Sequence, residues 1–240
     1  MPQSYSSDFK WRHYEGEIIL LCVRWYLRYR LSYRNLAEMM NERGLHIAPS
    51  TIYRWVQHFA PQLQRKVSYF LKPRSSSLHI DETYVKVKGK WLYLYRAIDS
   101  NGNTIGFYLS RTRNHKSAKL FLNKLINQRS SVEPATITVD ANPAYSVAFK
   151  QLQSKRKFKQ TVLRKNKYLN NIIEQDHRRV KWKTLTSLGY YSYKTAYNTI
   201  RGIETINQLF KGQLYHLFDK TAKTIKSFIE RQFGLDVSIR

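Results

Sequence analysis

Cysteine is almost absent: the chain carries one, Cys22. A lone thiol can make no internal disulfide and cannot build a zinc cluster of the multi-cysteine kind. Set among apolar neighbours, Cys22 reads as a small core residue. Long apolar runs are missing too. The longest, Ile18 to Leu27, is interrupted by Arg24 and is too short to cross a bilayer. The first residues, MPQSYSSDFKW, lack the apolar centre of a signal peptide. A cytoplasmic protein without membrane contact is expected. Acidic residues are scarce as well: 16 Asp and Glu against 42 Lys and Arg leave a formal charge of +26. Such an excess destabilises a compact chain by self-repulsion unless a polyanion is close. Nucleic acid is the obvious one; an anionic membrane surface or a ribosomal role is the plainer alternative. With 42% hydrophobic and 14% aromatic residues, a disordered basic tail is excluded. The 240 residues suffice for a full core plus a small extra domain.

What is present begins with helices. Glu17 to Tyr29 carries a dense apolar face. Ser32 suits the N-cap of a helix over Tyr33–Arg43, and Gly44 the residue just past its end. Ser50 is expected to cap a third helix, Thr51 to Phe59, with Ile52, Trp55, Val56 and Phe59 inward. The pattern is that of a helix-turn-helix, whose last segment enters the major groove of DNA. Ser50, Thr51, Tyr53, Arg54 and Gln57 are then the outward set: Arg54 and Gln57 suit base edges, Ser50 or Thr51 a phosphate. An ordinary three-helix bundle with a solvated polar face is the competing reading. Pro61 suits the first turn of a further helix to Phe70, and LKPRSSS (71–77) has linker composition.

After the linker the period changes. LHIDETYVKVKGKWLYLYRAID (78–99) reads as two strands about a Lys88-Gly89 turn, and the Asn-Gly pair at 101–102 introduces a third strand, Thr104–Ser110. A helix is expected over 114–127, a strand over 135–140, a helix from Asn142-Pro143 to Leu152, a short strand over Phe158–Val162 and a helix over Asn171–Lys183. Two helices, around 194–211 and 219–233, close the chain. The order βββαβαβα is that of a ribonuclease-H-like α/β fold, a mixed sheet flanked by helices. The expected division is 1–72 for the helix-turn-helix region, 73–190 for the ribonuclease-H-like (integrase-type) core, and 191–240 for C-terminal helices that pack on the core or mediate oligomerisation.

Three carboxylates stand out. Asp81 lies inside an apolar strand, where burial is costly unless the group is paired or holds a cation. Asp140 ends a strand and Glu174 lies early in a helix. Two or three carboxylates with substrate phosphate make a suitable Mg²⁺ site, and such sites catalyse phosphodiester displacement. Each also has a plainer role: Asp81 pairing with a Lys at a strand edge, Asp140 capping the following helix, Glu174 completing a capping box with Asn171. Glu82, Asp99 and Asp176 are rival carboxylates.

These blocks resemble the small insertion-sequence transposases of the Asp-Asp-Glu type, in the insertion-sequence-six group. The resemblance runs from IILLCVRWYLRYRLSYRNLAEMM through STIYRWVQ, HIDETYVKVKGKWLYLYRAID, VDANPAY and NNIIEQDH to KTAYNTIRGIE. It implies that Asp81, Asp140 and Glu174 are a catalytic, metal-binding triad, the last two 34 positions apart. It also implies a basic residue seven after the Glu, here Lys181, which can reach DNA phosphate. Further implied are Mg²⁺ dependence (with Mn²⁺ able to substitute), cleavage at terminal inverted repeats, and transfer of the 3′-OH strand to target DNA. Cointegrates and a homo-oligomer on paired ends complete the expectation. Many members carry Lys where this chain has Ala141, and the single cysteine argues against the N-terminal zinc module of some relatives. The window 150–183 holds 12 Lys or Arg, Arg178 and Arg179 among them, against two acids, and suits duplex DNA beside the active centre. A non-catalytic DNA-binding regulator and another ribonuclease-H-like nuclease are the alternatives.

Overall fold

The computed structural model describes residues 7–10, 13–127, 133–166, 171–186, 189–217 and 219–235. The chain divides into two compact units: 1–72 together with 194–240, and 73–193.

The first unit is helical. Helix α1 (Gly16–Arg28) buries Ile19, Leu20, Val23 and Tyr26, and Cys22 sits among them with its thiol pushed up to about 11 by burial. Helix α2 (Tyr33–Asn41) starts with the expected Ser32 cap, elaborated into a reciprocal box with Asn35. It ends on Gly44 at φ +75°, a left-handed position open to glycine at no steric cost. Helix α3 differs from expectation at both ends. It starts at Pro49, whose fixed φ and missing N–H suit a first position, so Ser50 lies inside the helix rather than at its cap. It then runs unbroken to Ser68 with Pro61 in its interior, where a separate helix was expected to begin. Ile52, Trp55, Val56, Phe59, Ala60, Leu63 and Val67 form one buried stripe through the proline, and that packing outweighs the lost backbone bond. Helices α7 (Tyr193–Phe210) and α8 (Ala222–Gln232) complete the sequence of helices. In α7, Gly202 is required by close approach: a Cβ there would stand 2.7 Å from the Ala60 Cβ and 2.8 Å from Leu27. Among the described residues, no helix is long and apolar enough to cross a membrane.

The second unit carries a five-stranded mixed sheet in the order β3-β2-β1-β4-β5. Strands β1 (Ser77–Val87) and β2 (Lys90–Asp99) pair antiparallel about Lys88-Gly89, both with positive φ, as a two-residue hairpin turn of the primed kind demands. Strand β3 (Thr104–Ser110) adds antiparallel to β2; β4 (Thr136–Val139) and β5 (Val162–Lys165) add parallel to β1 and to each other. The expected ribonuclease-H-like order is therefore met, with β5 placed later than the expected 158–162. Arg156 and Phe158 adopt φ +57° and +58°, which no strand accommodates, and Phe158 is buried against Phe149 instead. Helices α4 (His115–Ile126) and α5 (Pro143–Gln153) cover one face, closing a core of Leu78, Ile80, Tyr95, Phe121, Ile137 and Tyr145. Helix α6 (Asn171–Thr186) packs on β1. Since Asp81 meets α6 and neighbouring Ile80 meets the α4–α5 core, α6 covers the opposite face.

Candidate active site

Strand β4 stops at Val139 while β1 continues, leaving a crevice beyond the carboxyl end of the shorter parallel strand. Open α/β sheets bind ligands at such places. Three side chains reach it from different elements. Asp81 comes from mid-β1, Asp140 from the residue after β4, and Glu174 from the first turn of α6. Together with Arg113, Ala141, Asn142 and Pro143 they line a cleft of about 350 Å³. A neighbouring cleft of about 650 Å³ is shared by Asp81, Glu82, Glu174, His177, Arg178 and Lys181.

The carboxylates are held unequally. Asp140 Oδ1 accepts from the Asn142 backbone N–H at 3.0 Å, and Asn142, not Asp140, caps α5. Asp140 Oδ2 faces Arg113 Nη2 at 3.3 Å. Glu82, with its side chain only 4% exposed, takes the same guanidinium at 3.5 Å and the Asn142 side-chain N–H at 3.3 Å. Burial pushes the Glu82 carboxyl up to about 7, with Arg113 pulling the other way. Asp81 is held by His177 Nε2 at 3.0 Å. Burial, reinforced by Arg96 and opposed by Asp81, lowers the His177 pKa. Glu174 is exposed, and among the described residues no side-chain hydrogen bond or ion pair engages it.

One carboxylate oxygen each from Asp81, Glu82 and Asp140 lies within 4.8 Å of the others. All-oxygen, acidic and partly open to water, this donor set fits a hard divalent cation that keeps some of its hydration. Glu82, a rival in the sequence, is thus in the constellation, although adjacent strand residues point to opposite faces. Its room comes from the end of β4, which leaves the sheet open beside it. The other rivals have structural work. Asp99 is fully buried and accepts from the backbone N–H groups of Ser75, Asn101 and Asn103, tying the turn before β3. Asp176 pairs with Arg96 at 2.7 Å.

Along α6, Glu174, Arg178 and Lys181 fall at helical spacing and share the rim of the larger cleft, all three exposed; Arg179 is half-buried. In the helical unit, Ser50 and Arg54 are exposed and Thr51 half-buried. Tyr53 is half-buried with its ring edge-on to Tyr33. Gln57 departs from the outward position expected of a base reader: its side-chain N–H donates to Thr199 of α7 at 2.9 Å and its Oε1 is buried. Three residues of the site were not anticipated: Arg96, Arg113 and His177. Counting outward from the Lys88-Gly89 turn places Arg96 opposite Asp81, so that partner was available in the sequence. No local pattern marks the other two.

A family described as a DDE domain matches residues 75–213. The transposase for insertion sequence-like element IS431mec of Staphylococcus aureus is 41% identical over 203 residues, covering 85% of this chain and 88% of that protein. The transposase for insertion sequence element IS257 in transposon Tn4003, also from Staphylococcus aureus, matches to the same extent. Among solved structures, the HTLV-2 integrase catalytic core domain in complex with magnesium is similar with a TM-score of 0.45 and 16% identity. That match covers 61% of this chain and 99% of that one. The Mos1 strand transfer complex gives 0.33 and 11%, over 78% and 75%.

Proposed function

Since the chain belongs to the insertion-sequence-six family of DDE transposases, a metal-dependent DNA transposase is the premise, and we propose how its residues divide the work. Asp81, Asp140 and Glu174 hold the divalent cations, Mg²⁺ with Mn²⁺ able to substitute. The observation that carries this assignment is that the three line one cleft although they lie on a strand, a strand end and a helix. Bound there, such cations would supply activation of the attacking oxygen and charge stabilisation of the leaving one in phosphodiester displacement.

The chain's own residues orient what reacts. The Asn142 N–H fixes Asp140 and His177 fixes Asp81, while Arg113 balances the charge of Asp140 and Glu82. Lys181 and Arg178, on the rim beside Glu174, receive backbone phosphates, with half-buried Arg179 extending the track. Ser50, Thr51, Tyr53 and Arg54 bind the terminal inverted repeats; Gln57 supports α3 from inside. DNA is cut at the element ends and the 3′-OH strand passes to target DNA, giving cointegrates, with a homo-oligomer pairing the two ends in the cytoplasm. The +26 charge supports strong, salt-sensitive duplex binding.

The test is metal-dependent nicking and strand transfer on a labelled element end, comparing the intact chain with Glu174→Gln, which removes one ligand charge at nearly constant shape. The variant should bind DNA and fail to cut. An intact chain that binds the end yet cuts with no divalent metal would replace this reading with that of a non-catalytic regulator.

A further inference from the structure

Between β1, β2 and α6 the polar groups form one connected chain. Asp176 Oδ2 accepts from Arg96 Nη2 at 2.7 Å, Arg96 Nη1 lies 3.2 Å from His177 Nδ1, and His177 Nε2 lies 3.0 Å from Asp81 Oδ2. Arg96 and His177 are 1% and 2% exposed, so water does not substitute freely for these partners. A guanidinium offers only donors. His177 Nδ1 must therefore accept, which makes it the bare nitrogen of the ring. Nε2 then carries the hydrogen and donates it to Asp81. Each link has one possible direction, and the direction is set by the arginine.

We propose that His177 is a positioning residue: fixed in its Nε2–H tautomer by Arg96, it aims the Asp81 carboxylate into the cleft and sets the register of α6, and so of Glu174, against β1. The inference rests on the cation-holding role of Asp81 given above. The hydrogen bond immobilises one carboxylate oxygen and with it the plane of the group, leaving Oδ1 and the remaining lone pair of Oδ2 as acceptors. His177 follows Glu174 by three positions, so both occupy one side of the helix. A single bond thus fixes where two acidic groups from separate elements meet. Asp176 anchors the same turn of α6 to β2 through Arg96, which resists rotation of the helix about that bond. Loss of an outer partner of this kind typically weakens metal affinity or activity by about 10–100-fold.

Two substitutions separate the halves of the imidazole. Glutamine places an N–H where His177 Nε2 stands, preserving the donor to Asp81. Asparagine places an oxygen where Nδ1 stands, preserving the acceptor for Arg96 but not reaching Asp81. In the full-length, metal-free chain, ¹⁵N spectra of labelled histidine should show a pyridine-like Nδ1 and a pyrrole-like Nε2 for His177, assigned by the signal that His177→Gln removes. The opposite tautomer, or a doubly protonated ring, overturns the proposal. In DNA-free Mn²⁺ titrations, His177→Gln should stay within about threefold of the parent, while His177→Asn weakens binding by roughly tenfold or more. In strand transfer, His177→Asn should raise the metal concentration for half-maximal rate more than it lowers the rate at saturating metal. Equal losses of metal affinity in both variants, parallel to equal losses in Tm, would mean that the network only fastens α6 and would overturn the positioning role. A parent chain with the expected tautomer but no Mn²⁺ binding would sink the cation site itself, and with it the aim given to Asp81.

Discussion

Arg113 offers the most direct perturbation of the cleft. Its guanidinium stands 3.5 Å from Glu82 and 3.3 Å from Asp140, beside a carboxylate that a divalent cation would neutralise. Arg113→Gln keeps a polar side chain and removes the charge. Asp140 then loses an ion pair that a cation would otherwise have to displace; at 37% exposure of the arginine this is worth about 0–1 kcal/mol. The cation also escapes a fixed positive charge, a repulsion of about 1–2 kcal/mol for a divalent–monovalent pair ~5 Å apart in water. Glu82 works against both. It is buried, with a carboxyl already up at about 7, and without its neighbouring cation it takes up a proton more readily and withdraws negative charge from the site. The net expectation is a dissociation constant for Mn²⁺ lower by about five- to thirtyfold, read by titration of DNA-free protein near neutral pH. An unchanged or weaker affinity would refute the reasoning, showing that Arg113 braces Asp140 rather than standing in for the cation.

Further expectations come from other parts of the chain. Lys183 is 3% exposed, and burial lowers its pKa from 10.5 to about 7. The unfolded chain therefore binds more protons than the folded one between about pH 7 and 10.5, so stability should rise through that window and its cost be complete below it. Lys183→Met should remove this rise and stabilise the protein below pH 7 by up to about 5 kcal/mol; paired denaturant melts at pH 6 and 9.5 with equal differences would contradict it. Arg54→Ala should weaken binding to the cognate end by ~1–3 kcal/mol with little change in Tm. Gln57→Ala should do the reverse, lowering Tm and leaving affinity nearly intact; a gel-shift series beside thermal melts decides both. Gly202→Ala should destabilise the helical unit by about 1–3 kcal/mol, because the added methyl meets Ala60 and Leu27. A melt unchanged from the parent would show that α7 can shift aside freely.

Much of this architecture was legible because the deciding signals are local. The hairpin, its register and the strand after Asn101-Gly102 follow from turn residues and alternation within some thirty positions. The α2 cap at Ser32 and the stop at Gly44 are local in the same sense. Errors arose where tertiary packing overrides a local cue. Pro61 looks like a helix start, yet the apolar stripe of α3 runs straight through it. Phe158 looks like strand and serves as a core side chain at positive φ. In the cleft, Asp81, Asp140 and Glu174 could be named in advance, but their holders could not all be. Arg113 and His177 lie 32 and 96 positions from Asp81, on a loop and on a helix whose facing side is fixed only once α6 meets β1. Gln57 was misplaced for a related reason: its partner, Thr199, lies on a helix 142 positions later.

The interruption of the helical unit by residues 73–193 has a consequence for synthesis. A ribosome releases the whole sheet-bearing segment as one contiguous stretch, so it can mature while translation continues. The helices ahead of it cannot finish in the same interval. Leu27 and Ala60 wait for Gly202, and Gln57 waits for Thr199, until the last fifth of the chain has emerged. A product halted near residue 193 would therefore carry every acidic group of the cleft together with an unfinished helical unit. Loss of the final segment by truncation or proteolysis is expected to leave the cleft formed while the helical unit loses the residues that close its packing.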